Sequence, residues 1–279
     1  MTYLDRAKVA DKLKLLPSLP AVVSDLLASF ANDDIDIEHV ARQIAHDQAL
    51  AARVLRVANS SFYGLQNKVA TIHEAVVVLG FRAVRSMVLA IGMSGLLRAD
   101  RCRGFDANAY QLHGIGVAMA ALELAGPAGV NRDLGFTAGL LHDIGKLALA
   151  ANFPVEYAEV LVYRKKHDCF TVVAERDLLG IDHCEVGGLL AEAWHFPAAL
   201  REAVTGHHAP AANTADSLAN LVHVADVTAY ALELEGGDRA AVMPMDRVAW
   251  QRLGGDWRAY AKALPRIEKG FAEARQILI

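Results

Sequence analysis

The sequence predicts an all-α fold. Apolar residues make up 54% of the chain and aromatic residues only 7%, with Ala, Leu and Val dominant. This palette favours helices, because sheets call for more Thr, Tyr and Phe. Apolar positions also recur at helical spacing, and capping residues stand at the ends of several such stretches. No alternating pattern of sheet type extends over more than a few residues.

The first helices follow from local signals. A first helix is predicted directly after Leu16–Pro20. Asp36 can cap a second helix, and Asn59–Ser61 ends a third, because these side chains compete for backbone hydrogen bonds. Thr71–Glu74 matches a capping box, and Gly80 is a plausible stop. The stripe of the first helix after the prolines is Val22, Val23, Leu26, Leu27 and Phe30.

The remaining helices are placed by the same reasoning. A clear break at Glu235–Asp238 precedes a tail with two short helices, around Asp246–Arg252 and Pro265–Leu278. The predicted helical stretches before the break are about 82–98, 107–125, 132–151, 155–167, 170–179, 184–194, 198–207 and 215–233.

Composition limits the functional classes. The net charge of −4, without a long Lys/Arg run, gives no general attraction to nucleic acid or acidic membrane, so neither is an expected partner. Three cysteines without a CxxC spacing favour a cytoplasmic protein without disulfides, in which Cys184 is a small buried residue. The charged first residues predict no signal peptide. The longest apolar stretch, Ser86–Leu97, is about half the ~20 residues that a membrane helix needs.

Seven side chains of the second half carry the chemistry. Imidazole and carboxylate together suit Zn, Mn or Fe, and the adjacent His-Asp pair supplies a carboxylate that can bridge two cations. If the seven converge, they form a centre for one to three divalent ions, of the kind that hydrolyses phosphoesters. The candidate metal ligands are His113, His142, Asp143, His183, His207, His208 and Asp226.

The His-Asp pair lies in the apolar string Gly139–Leu147, where an unpaired carboxylate would be costly and a cation is the simplest compensation. Gly145 allows another backbone or a ligand to come close. Lys146 either places an ammonium over the same pocket, where a phosphate would bind, or is an ordinary solvated lysine. The other histidines are interpreted as satisfied core residues: His39, His46, His73, His167, His195 and His223.

Several short motifs of the first half resemble the HDOD domain, the HD-related output domain of bacterial signalling proteins. They are Leu16–Pro20, Asp47–Leu50, Leu55–Tyr63, Ile72–Val76 and Leu79–Gly80. The order of the seven candidate ligands is likewise similar to the HD superfamily of metal-dependent phosphohydrolases. Together the similarities cover about residues 12–235.

The resemblance implies a multi-helix HD-like bundle preceded by an N-terminal helical subdomain. We expect an HDOD domain at 12–235, with an N-terminal half (12–98) and a metal-bearing half (99–235), followed by a helical tail (236–279). HDOD domains occur in bacterial regulators and are generally regarded as non-catalytic relatives that often lack the HD ligands. This chain keeps the His-Asp pair and its partners.

The fuller ligand set is similar to the HD-GYP phosphodiesterases, which cleave cyclic dinucleotides. The similarity implies metal binding by the seven residues, and it implies catalytic roles for Asp143, as a bridging ligand, and Lys146, as a phosphate contact. Two departures stand against it. Residues 209–214 replace an acidic, glycine-rich stretch ending in Gly-Tyr-Pro, and Ala109 stands where some relatives place an acidic ligand.

The expected function is therefore that of a bacterial signal-transduction output protein. It would act by metal-supported binding of a partner protein or a nucleotide second messenger. The alternative is a metal-dependent phosphohydrolase or cyclic-dinucleotide phosphodiesterase, although the sequence offers no obvious general acid for the leaving group.

Overall fold

A computed structural model of the chain describes residues 3–31, 36–60, 63–93, 97–210, 217–234 and 242–278. Within these ranges the chain forms sixteen α-helices and no strand, which confirms the predicted fold class. The helices are α1 (Arg6–Lys14), α2 (Ala21–Ala28), α3 (Ile37–His46), α4 (Gln48–Ala58), α5 (Ile72–Leu79), α6 (Phe81–Met93), α7 (Ala107–Ala125), α8 (Arg132–Leu141), α9 (Ile144–Asn152), α10 (Pro154–His167), α11 (Thr171–Leu179), α12 (His183–Ala193), α13 (Ala198–Gly206), α14 (Ser217–Ala231), α15 (Arg247–Arg252) and α16 (Trp257–Leu278).

Local capping explains where several helices begin and end. Asp36 accepts a hydrogen bond from the N–H of His39 (2.9 Å) at the start of α3, and Thr71 accepts one from Glu74 (3.1 Å) at the start of α5. Gly80 follows α5 with a φ of 84°, a conformation that suits glycine. The predicted caps are confirmed at these positions.

The predicted helix over 132–151 is wrong in one respect, because two helices share this range. α8 ends at Leu141, and α9 begins after Asp143, whose φ of −96° and ψ of 15° leave the helical conformation. The turn lets α9 pass close to α12. A Cβ added to Gly145 would lie 1.8 Å from the carbonyl oxygen of His183, so only glycine fits.

The last helix also differs from the prediction, since it begins at Trp257 and contains Pro265 in its interior. An interior proline costs about 3 kcal/mol, because it removes one backbone hydrogen bond and crowds the preceding turn. Ile267 and Phe271 on the same helix are buried. Burying each of two such side chains contributes about 1.5–3 kcal/mol, which offsets the proline.

Within the second half of the chain, residues 99–235, the long helix α7 contacts α8 and α14, and it also contacts α16 of the C-terminal tail. The N-terminal helices attach to this half through contacts of α6 with α8 and of α1 with α12. Along the described parts of the chain, no helix combines the length and the apolar character that a membrane crossing requires. The predicted break at 235–238, residues 211–214, and Ser61 and Phe62 of the motif 55–63 lie outside the described residues.

The interpretation of the six remaining histidines as core residues is wrong for five of them. These five side chains are exposed, because they stand on the polar faces or at the ends of their helices: His39, His46, His73, His167 and His195. His223 is buried as predicted. Its Nδ1 donates to the carbonyl oxygen of His207 (2.8 Å), and its Nε2 accepts from the backbone N–H of Asp246 (2.9 Å).

Candidate metal centre

The fold brings all seven predicted ligands together. They come from five places: the middle of α7, the turn between α8 and α9, the first residue of α12, the end of α13 and the middle of α14. Six of them are at most 4% exposed, and only His208 is half-buried. We refer to this group as the His/Asp centre: His113, His142, Asp143, His183, His207, His208 and Asp226.

Asp143 stands between two sets of imidazoles. Its Oδ2 lies 3.6 Å from Nε2 of His113 and 3.3 Å from Nε2 of His142. Its Oδ1 lies 3.4 Å from Nε2 of His183 and 3.6 Å from Nε2 of His207. Donors that each bind one cation at ~2.0–2.2 Å lie roughly 3.0–3.5 Å apart. The spacing therefore suits one cation on each side of a bridging carboxylate.

Two further candidate ligands belong to these sets. Asp226 joins the first, with its Oδ1 3.1 Å from Nε2 of His113. His208 joins the second, because its ligand atom lies within 4.8 Å of those of His183 and His207. Cys184 is buried, as predicted, with its Sγ 3.9 Å from both ring nitrogens of His207. The sulfur also falls within the 4.8 Å group of His183, His207 and His208, so Cys184 is a further candidate donor beside the seven predicted residues.

A cation fits these residues because ligand atoms in the centre lack hydrogen-bond partners. Burying a polar atom without a partner costs about 1–3 kcal/mol, so several in one place need a common compensation. Divalent cations would supply it, and the nitrogen and oxygen donors suit Fe, Mn or Zn. Four atoms of the centre are fully buried and have no hydrogen-bond partner among the described residues: Nε2 of His142, Oδ1 of Asp143, Nε2 of His183 and Oδ1 of Asp226.

The imidazoles are held so that Nε2 faces inward. In His142 and His207, Nδ1 donates to the backbone carbonyl three residues earlier, at 2.6 and 2.9 Å. In His183, Nδ1 donates to Oε2 of Glu175 at 2.5 Å. A hydrogen bond from Nδ1–H fixes the tautomer and leaves the Nε2 lone pair available to a metal.

Glu175 is a functional candidate that the sequence reasoning missed. This fully buried carboxylate also accepts hydrogen bonds from the backbone N–H of His183 and the hydroxyl of Tyr157, both at 2.9 Å. Burial and the charge of Glu175 raise the pKa of Tyr157, which keeps its hydroxyl protonated as a donor. A signal was available: Glu175 lies between Val172 and Leu179 on the buried stripe of α11, where a lone acid needs partners.

Lys146 reaches the centre, and the alternative of a solvated lysine is wrong. Its Nζ lies 2.6 Å from Oδ2 of Asp143, and its side chain is 13% exposed. Burial alone would lower the pKa of Lys146, but the charge of Asp143 raises it well above the usual value. Burial alone would raise the pKa of Asp143, but the charges of His142 and Lys146 hold it well below the usual range. Both groups are therefore charged.

A cleft of about 30 Å³ opens beside the centre. Its polar wall includes Lys146, Arg164, Thr171, His208 and Tyr230, and we call it the Lys146 cleft. Burial and the charges of neighbouring imidazoles lower the pKa of His208, so this wall residue is neutral. The sequence reasoning also missed Arg164, because a basic residue in the last turn of a helix is usually explained by the helix dipole.

Comparison with known proteins identifies relatives over most of the chain. A family model described as the HDOD domain matches residues 16–210. An uncharacterised protein of Treponema pallidum is 22% identical over 204 residues, which are 72% of this chain and 39% of that protein. The chain thus spans about two fifths of that relative's length.

Two solved structures have the same fold. An HDOD domain protein of unknown function from Geobacter sulfurreducens is 24% identical, with a TM-score of 0.81 over 98% of this chain and 97% of the other. A protein from Shewanella amazonensis SB2B, provisionally named a phosphohydrolase, is 29% identical, with a TM-score of 0.78 over 98% of both chains.

Proposed function

We propose that this chain, which belongs to the HDOD domain family, is a signalling protein that binds its ligand or partner beside a metal-loaded His/Asp centre. The observation that carries the proposal is the set of buried ligand atoms without hydrogen-bond partners around Asp143. Many HDOD domains are expected to lack the HD ligands, so a full set in this chain argues for a use of the metal.

Bound divalent cations supply positive charge for an anionic group and, in hydrolases, an activated water. The chain's own residues do the rest. Asp143 lies between the two imidazole sets, with its two oxygens 3.3 Å from Nε2 of His142 and 3.4 Å from Nε2 of His183. Glu175 keeps Nε2 of His183 directed inward. Lys146 holds a charged donor at the boundary between the centre and the Lys146 cleft. A ligand in the cleft would therefore meet the centre through Lys146.

The size of the Lys146 cleft argues against a ligand that is enclosed as a whole and is as large as a cyclic dinucleotide. Pockets that enclose a drug-sized ligand have volumes of about 300–1,000 Å³. The described residues leave about 30 Å³, which does not enclose a dinucleotide. Hydrolysis of a smaller phosphoester is the second candidate function. It is favoured by the complete ligand set with Lys146 beside Asp143, and by the provisional name of the Shewanella relative.

Metal content tests the proposal. Protein purified without chelator should contain at least one Fe, Mn or Zn per chain by elemental analysis. His142→Ala should lose most of it, because this removes a buried nitrogen that faces the centre. His46→Ala is the matched control, since His46 precedes an aspartate in the same way but is exposed. The proposal would be wrong if the wild type, folded by circular dichroism and incubated with added metal, still held clearly less than one metal ion per chain.

Turnover then separates the two candidate functions. Metal-loaded protein is incubated with a cyclic dinucleotide, a phosphomonoester and a model phosphodiester, and released product is measured. Metal without turnover supports the signalling role. Turnover that His142→Ala abolishes and His46→Ala retains supports the hydrolase.

A further inference from the structure

We infer that the Lys146 cleft binds the terminal phosphate of a phosphomonoester, with Arg164 as its principal cation. The inference rests on the proposed function, because the ligand would sit beside the metal-loaded centre. It adds the kind of phosphate ester, a monoester, and a binding residue, Arg164, that is not among the candidate ligands.

The charge of the cleft selects an anion. Two cationic side chains, Lys146 and Arg164, line it, and none of its described lining residues is acidic. The ammonium of Lys146 is already neutralised by Asp143 at 2.6 Å. Half-buried Arg164 makes no ion pair or side-chain hydrogen bond with any described residue, in contrast to Arg176, which pairs with Asp182 at 2.6 Å. A guanidinium offers two parallel N–H groups to a phosphate, which is its preferred geometry.

The start of α11 adds donors to the same wall. Phe170 precedes the helix and makes no side-chain hydrogen bond to it, and Thr171 and Val172 line the cleft. The first N–H groups of a helix have no partner within it, so those of Thr171 and Val172 can reach a bound anion. The hydroxyl of Thr171 is a further donor on the same side.

The size of the cleft limits the anions that fit to a group as small as a terminal phosphate. About 30 Å³ holds two or three water molecules, which is also the scale of one phosphoryl group. A phosphomonoester has a single substituent, which can leave through the open side, and it carries a charge of about −1.5 to −2 at pH 7. A phosphodiester carries only one charge and has substituents on two sides. The cleft therefore favours the monoester.

Calorimetry on the full chain tests this inference with three probes at constant ionic strength. They are inorganic phosphate, p-nitrophenyl phosphate as the monoester and bis(p-nitrophenyl) phosphate as the diester. We expect the first two to bind and the diester to bind at least about tenfold more weakly. Arg164→Gln should weaken phosphate binding by about 10- to 100-fold, as expected for the loss of hydrogen bonds to a charged group. Arg201→Gln is the matched control, because Arg201 is exposed on α13.

Metal content of each variant separates the possible failures. Arg164→Gln should keep the wild-type metal content and melting temperature. Metal-loaded wild type that ignores phosphate, equal binding of diester and monoester, or unchanged binding by Arg164→Gln would each overturn the inference while leaving the metal centre intact. A wild type without metal would contradict the proposed function alone. Phosphate binding by that protein, sensitive to Arg164→Gln, would still support the cleft.

Discussion

The buried pair of Glu175 and His183 makes a sharp prediction about metal affinity. Glu175→Ala removes the acceptor of the 2.5 Å hydrogen bond from Nδ1 of His183, and both side chains are fully buried. A hydrogen bond to a charged group contributes about 1.5–3 kcal/mol, and 1.4 kcal/mol corresponds to tenfold in affinity. We therefore expect metal to bind about 10- to 100-fold more weakly, in line with the loss of other carboxylate partners of metal-bound histidines.

Glu175→Gln divides this effect into charge and hydrogen bonding. The glutamine oxygen can still accept from His183, and its NH₂ can donate to the hydroxyl of Tyr157, which also accepts. The metal affinity of Glu175→Gln should therefore lie between those of the wild type and Glu175→Ala. Glu159→Gln, on an exposed position of α10, is the control.

The assay is competition for Zn²⁺ against a chromophoric chelator, with circular dichroism to confirm folding. A folded Glu175→Ala protein whose metal affinity stays within about threefold of the wild type would refute the reasoning, because the expected loss is about tenfold or more. Equal losses in Glu175→Gln and Glu159→Gln would show that net charge, and not the contact with His183, controls the affinity.

Two further predictions concern stability. In denaturant titrations, Gly145→Ala should lower the free energy of unfolding by about 3 kcal/mol or more, because its Cβ would overlap the backbone of His183. The control, Gly126→Ala, has open space around the Cβ and should leave the free energy of unfolding nearly unchanged. His223 has a pKa lowered mainly by burial, so below about pH 6.5 the unfolded chain takes up a proton that the folded chain refuses. For wild-type protein treated with a chelator, the free energy of unfolding should fall by up to about 1.4 kcal/mol per pH unit below pH 6.5. For His223→Gln it should fall by less, and identical pH profiles of the two proteins would contradict this prediction.

The fold class and most helix positions follow from the sequence because their causes are local. The helix over 107–125 coincides with α7, since its cap, Asp106, and its apolar residues all lie within the same segment. The start of α16 could not be predicted in this way. Its first turn is placed by ring contacts of Trp257 and Tyr260 with Trp250 of α15 and by the 2.9 Å contact between the hydroxyls of Tyr260 and Thr228 of α14, which no local pattern shows.

The site was predictable as a set of ligand types but not as a geometry. Chemistry alone singles out histidines and aspartates with metal-binding potential, and the fold brings all seven together. Glu175 and Arg164 are different, because their importance depends on which neighbours they meet. The carboxylate of Glu175 meets His183 eight residues later. Arg164 shares a cleft with residues of three other helices, α9, α11 and α14, and of the segments that hold Phe170, His208 and Met243.

Helix ends explain why adjacent residues can serve the same centre. Successive residues on an α-helix point about 100° apart, so one continuous helix directs only one member of an adjacent pair inward. His142 and Asp143 lie in the turn between α8 and α9, and both face the centre. The pair His207–His208 follows the end of α13 and does the same. His183 is the first residue of α12, and its Nε2 lies 3.4 Å from Oδ1 of Asp143. The break in the predicted helix over 132–151 therefore lets His142 and Asp143 face the centre together.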